Sequence, residues 1–151
     1  KGEFNYAQWY GRGPQENYPD RKSAAMVLVN DHYVRDQQCP YIYPQEFGAR
    51  QDVRWLRLLN AGQLGLRISG TPTFAFSALP YRLEDLAAAR NVAELTPRDE
   101  VNLHIDGFHL GVGGDTGWSR NVQPEYLLPP GTYPYAVVLR PEVPTTSSSS
   151  G

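Results

Sequence analysis

Thirteen prolines spread through 151 residues set the tightest limit on what this chain can fold into. Each proline removes a backbone N–H and fixes φ, so long helices and unbroken central strands are hard to fit between them. Fourteen glycines add further points of reversal. What fits between such breaks is a series of short strands. Ten tyrosines, five phenylalanines and three tryptophans suit strands too.

Seven segments show apolar alternation or β-rich runs: Phe4–Tyr10, Met26–Val29, Val53–Leu59, Leu64–Ile68, Thr73–Ser77, Val101–Ile105 and Tyr133–Leu139. Leu64, Leu66 and Ile68 share one face, opposite Gly65 and Arg67. Val101, Leu103 and Ile105 repeat the pattern, opposite Asn102 and His104. Such alternation builds antiparallel sheets with one buried face. One helix is expected over Arg82–Arg90, where Leu83, Leu86 and Ala87 fall at i, i+3 and i+4. Glu84 and Asp85 suit its first turn and Arg90 its last. Turns are expected at Gly11–Arg12–Gly13–Pro14, Tyr18–Pro19–Asp20, Gly70–Thr71–Pro72, Gly113–Gly114–Asp115 and Pro129–Pro130–Gly131. The fold class that results is an all-β antiparallel sandwich with one short helix.

The length suits one domain over residues 1–143, followed by a polar Ser-rich linker or tail over 144–151. A net charge of −2 without a long basic run argues against a nucleic-acid partner. No apolar run approaches the roughly 18 residues that a membrane helix needs. Cys39 is the only cysteine, which excludes an intrachain disulfide. The chain opens at Lys1 and leads straight into a strand, which reads as a cut inside a longer protein whose export signal, if any, lies upstream.

Three longer blocks carry a family likeness. They are Trp9–Tyr10–Gly11–Arg12–Gly13–Pro14–Gln15–Glu16–Asn17–Tyr18–Pro19–Asp20–Arg21, then Pro40–Tyr41–Ile42–Tyr43–Pro44–Gln45–Glu46–Phe47–Gly48–Ala49–Arg50, then Ile105–Asp106–Gly107–Phe108–His109–Leu110–Gly111–Val112–Gly113–Gly114–Asp115 with Trp118. In content, order and spacing they resemble the C-terminal domain of family-two β-galactosidases, over roughly Phe4 to Leu139. The resemblance implies part of a large sandwich of the galactose mutarotase type. It implies two catalytic glutamates on an upstream (β/α)-barrel, and metal sites that also lie upstream. No cofactor is then expected in this chain. The expected partners are the remainder of the enzyme or a large subunit, a galactoside at the active-site rim, and further copies in an oligomer.

Retaining glycosidases use two carboxylates about 5–5.5 Å apart. Glu16, Asp20, Glu46, Asp106 and Asp115 are the available acids near turns, with Arg12, Arg21, Arg50 and Arg54 as partners. Carboxylates in such places accept bonds from turn N–H groups or guanidinium groups, so all five acids read as loop anchors. In some family members a tryptophan four residues before the Asp-Gly step of the third block stacks on sugar; the matching residue here is Asn102, which offers a hydrogen bond but no ring. Asn102, His104 and Trp118 are the candidate rim residues. Trp9, Trp55 and Trp118 fit either sugar platforms or core anchors. His104 and His109 lack the further close ligands of a metal site. Gly111–Val112–Gly113–Gly114 lacks the Lys-Ser/Thr of a phosphate loop. A stand-alone carbohydrate-binding module and a mutarotase-like epimerase using His109 and Asp106 are the rival functions.

Overall fold

The computed structural model describes residues 4–39, 41–113 and 121–144. Six strands form one antiparallel sheet: β1 (Tyr6–Gly13), β2 (Met26–Tyr33), β3 (Arg50–Leu59), β4 (Gly65–Leu79), β5 (Asn102–Asp106) and β6 (Ala136–Glu142). The order is β2-β1-β3-β4-β5, with β6 also pairing with β4. β4 is 15 residues long and serves two neighbours on one side. Its first half, Gly65–Thr71, pairs with β6, and its last residues, Ala75–Leu79, pair with β5. The all-β antiparallel class is therefore what the alternation of the sequence encodes.

The register puts Ala7, Trp9, Leu56, Leu58, Leu66 and Ile68 on one face through the pairs Ala7↔Leu58, Trp9↔Leu56, Leu56↔Ile68 and Leu58↔Leu66. That face is the main core, joined by Val34, Val53, Phe74, Phe76 and Ala78. Trp9 and Phe76 are fully buried and meet edge to face, with centroids 5.6 Å apart. Burying a large side chain of this kind stabilises by about 1.5–3 kcal/mol. Val101, Leu103 and Ile105 pack against the same cluster from β5 and the residue before it. A smaller cluster of Phe47, Leu79, Tyr81 and Leu86 lies under the second sequence block.

Three expectations are corrected. Gly11 and Gly13 are strand residues rather than a turn, since β1 runs through to Gly13. Gly11 is needed for approach: a Cβ there would sit 2.9 Å from Cα of Val53. Gly70–Thr71–Pro72 does not reverse the chain, because Leu64–Ile68 and Thr73–Ser77 belong to the single strand β4. The β3–β4 register jumps from Trp55↔Ser69 to Val53↔Phe74, so Pro72 falls where the β3 ladder has already parted and loses no bond to it. The helix, α1, spans only Leu83–Ala88, and of its expected apolar stripe Leu86 alone is buried. Arg90 lies beyond its end and pairs with Glu94 at 3.1 Å.

Candidate functional site

The three sequence blocks converge. The first leaves β1 at Gly13 and runs beside the second. Asn17 N–H donates to Ala49 O at 2.8 Å, and Gln51 N–H donates to Asn17 Oδ1 at 2.9 Å. Asn17 is only 1% exposed, so both bonds are shielded from water. Glu16 holds the second block from the other side. It accepts from Gly48 N–H at 2.9 Å and from the Tyr41 hydroxyl, and Arg21 stands 3.7 Å away. Gly48 has φ +81°, the left-handed conformation that glycine adopts without penalty.

Asp20 joins the third block to the first. Its carboxylate accepts from Val112 N–H at 3.1 Å and Gly113 N–H at 2.7 Å, across more than ninety residues of chain. Tyr18, 3% exposed, packs on the His109 ring with centroids 5.6 Å apart. Burial, then the Glu16 charge, pushes the Tyr18 hydroxyl far above the ordinary tyrosine range. His109 also has Nδ1 2.6 Å from Leu110 O, so it is a packed loop histidine.

Arg50 is 2% exposed and sits under the junction. It donates to Gly48 O at 2.9 Å and Ala49 O at 3.2 Å, and its guanidinium lies 5.5 Å from the Trp9 ring. Burial pulls it down to about 10, opposed by the Glu16 charge. Arg12 leaves the outer face of β1 and donates to Asp52 at 2.5 Å, to Ala25 O at 2.7 Å and to Lys22 O at 3.1 Å. Lys22 reaches the same Asp52 carboxylate at 3.0 Å.

Glu46 is exposed, and Asp106 is half-buried at the end of β5. Neither side chain makes a hydrogen bond or ion pair among the described residues. Asn102 and His104 project from the same face of β5, opposite Leu79 and Ser77. The Asn102 side-chain nitrogen is buried without a partner among the described residues. Trp9 is a core anchor that donates Nε1–H to Arg12 O at 3.0 Å. Trp55 lies half-buried on the outer face beneath Arg67, 5.0 Å away. Arg54 stacks on Tyr10 instead of pairing with a block carboxylate. Asp115 and Trp118 lie outside the described residues.

Sequence reasoning missed Asp52, Asn17 and Tyr41 as holders of the junction. Asn17 and Tyr41 stand inside the quoted blocks, so an account of buried acceptors there could have found them. Asp52 offers no such signal.

Fold and loops together define an antiparallel all-β domain whose three blocks are joined to one another by the Glu16 and Asp20 carboxylates and the Asn17 amide. The chain belongs to the family described as "Beta galactosidase small chain", whose model matches residues 1–139. It is 40% identical to a β-galactosidase of Priestia megaterium over 125 residues, which is 83% of this chain and 12% of that protein. It is 42% identical to β-galactosidases of Lactococcus lactis (85% of this chain, 12% of the relative) and Vibrio cholerae (90% and 13%). The chain thus spans about an eighth of the length of these curated relatives. They favour neither a stand-alone carbohydrate-binding module nor an epimerase.

Proposed function

We propose that this chain is the C-terminal, non-catalytic part of a β-galactosidase, and that the catalytic carboxylates for cleaving terminal β-D-galactosides lie outside it. The observation that carries this reading is how two of the block acids, Glu16 and Asp20, are spent. A retaining glycosidase needs one carboxylate free as nucleophile and a second as acid, about 5–5.5 Å apart. Glu16 and Asp20 instead accept bonds from backbone N–H groups of Gly48, Val112 and Gly113. Their removal would open the junction rather than stop a chemical step.

The role that remains is architectural. The junction fixes the loops at one end of the sheet, with Asn102 and His104 on the adjoining face of β5 as rim residues for a galactoside. Its partner is the remainder of the enzyme, on the same polypeptide or as a large subunit. The test is complementation. A β-galactosidase lacking the stretch that corresponds to residues 4–143 is expected to lose most of its hydrolysis, and the separately supplied chain to restore it. Full activity and unaltered assembly of the shortened enzyme would overturn the reading.

A further inference from the structure

The outer face of the sheet, opposite the main core, carries a row of arginines. Arg57 on β3 stands opposite Arg67 on β4, and Arg67 stands opposite Arg140 on β6. Side chains directly opposite on adjoining strands lie about 5 Å apart at Cβ, and like charges there are destabilising. Arg57 is compensated: it pairs with Glu142 at 2.9 Å and donates to Gln8 Oε1 at 2.8 Å. Neither Arg67 nor Arg140 has a carboxylate within ion-pair distance among the described residues. Arg67 lies over the Trp55 ring, 5.0 Å from its centroid, and Arg140 is exposed. The next row on the same face is Val29, Tyr10, Trp55, Ser69 and Val138. Val29 is 60%, Val138 51% and Tyr10 38% exposed. Tryptophan, tyrosine and arginine are the side chains that carry most binding energy at protein interfaces.

We propose that this face is docked by a segment of the rest of the enzyme, which presents a carboxylate to Arg67 and Arg140 and apolar side chains to the Tyr10–Trp55 row. The inference rests on the reading above that the chain works inside a β-galactosidase. In the curated relatives the matching stretch belongs to one polypeptide with the remainder, which is therefore present wherever this face is. A carboxylate set between the two guanidinium groups turns their repulsion into two charge-assisted bonds. Other occupants fit less well. A polyanion would need a longer basic stretch, whereas the net charge is −2 and Asp31 closes the arginine row at its β2 end. A small anion brings nothing for the apolar row beside it. A second copy laid on by the same face brings the same arginines, and its Glu142 is already bound to Arg57.

The test uses the intact polypeptide that carries this segment. Arg67→Lys and Arg140→Lys, made separately, keep the charge and supply an amine. A water-soluble carbodiimide condenses such an amine with a carboxylate in contact with it, forming an amide while the carbodiimide takes up the water. The native Lys22–Asp52 pair, 3.0 Å apart, is the internal control for the chemistry and for the fold. Peptide mass analysis is expected to show positions 67 and 140 each joined to the same Asp or Glu, one that lies outside these 151 residues. Links only to acids within the 151 residues overturn the proposal, and so does the absence of any link while Lys22–Asp52 forms. Hydrolysis of a β-galactoside by the unaltered polypeptide is measured alongside. Its absence would remove the galactosidase reading, whereas the cross-link decides the docking by itself.

Discussion

Asp52 is the residue on which most depends for the least sequence signal. It interrupts β3 in the left-handed region, φ 55°, where Asp and Asn are among the few tolerated side chains. From there its carboxylate meets Arg12 at 2.5 Å and Lys22 at 3.0 Å. Burial raises its proton affinity, but the bonds from Arg12 and Lys22 outweigh this and hold its pKa below the usual carboxylate value. A depressed folded pKa contributes stability that is present above the unfolded value of about 4 and is lost as pH falls through the folded one. Asp52→Asn keeps the backbone conformation and removes the charge. It is expected to cost about 1 kcal/mol at pH 7, because the pair is only partly shielded from water. Denaturant titrations at pH 7 and pH 3 should show the gap between wild type and variant shrinking at the lower pH. An equal gap at both would mean that the charge is not what Asp52 contributes.

At the scale of elements, the junction depends on Asp20, whose carboxylate gives two N–H groups of the third block their acceptor. Asp20→Ala leaves both donors without that partner, at a cost of about 1–3 kcal/mol. The amides of Val112 and Gly113 should then exchange much faster with solvent, while those of β1 and β3 stay protected. Unchanged exchange at these two amides would show that the loop is held by other contacts. Most of the strands were legible because apolar alternation became a buried face, as in Val101, Leu103 and Ile105, whereas β2 and β6 leave most of their side chains exposed. Glycine and proline misled where they serve approach or bulging instead of reversal, at Gly11 and at Pro72. The helix was drawn too long because Arg90, read as a favourable last-turn cation, finds Glu94 four residues on. Of the site, the acids that hold loops were found as a class, but not which ones. Glu16 and Asp20 bond to groups more than thirty and ninety residues away, and no local pattern separates them from exposed Glu46.

At the scale of the whole molecule, the described residues form a single sheet with its main core on one face, a smaller cluster against Leu79 on the other, and large exposed side chains elsewhere, among them Met26, Val29, Val138 and Leu139. Apolar surface of this kind marks sites of contact. Together with the eighth of its relatives' length that the chain spans, it fits a part that works inside a larger enzyme. The central claim is that the chain carries no catalytic carboxylate pair of its own. The direct measurement is hydrolysis of a nitrophenyl β-galactoside by the purified chain, beside an intact β-galactosidase at equal molar concentration. The account predicts no turnover above buffer from the chain. Turnover that Glu46→Gln or Glu16→Gln abolishes would place the catalytic acids within these 151 residues and contradict it.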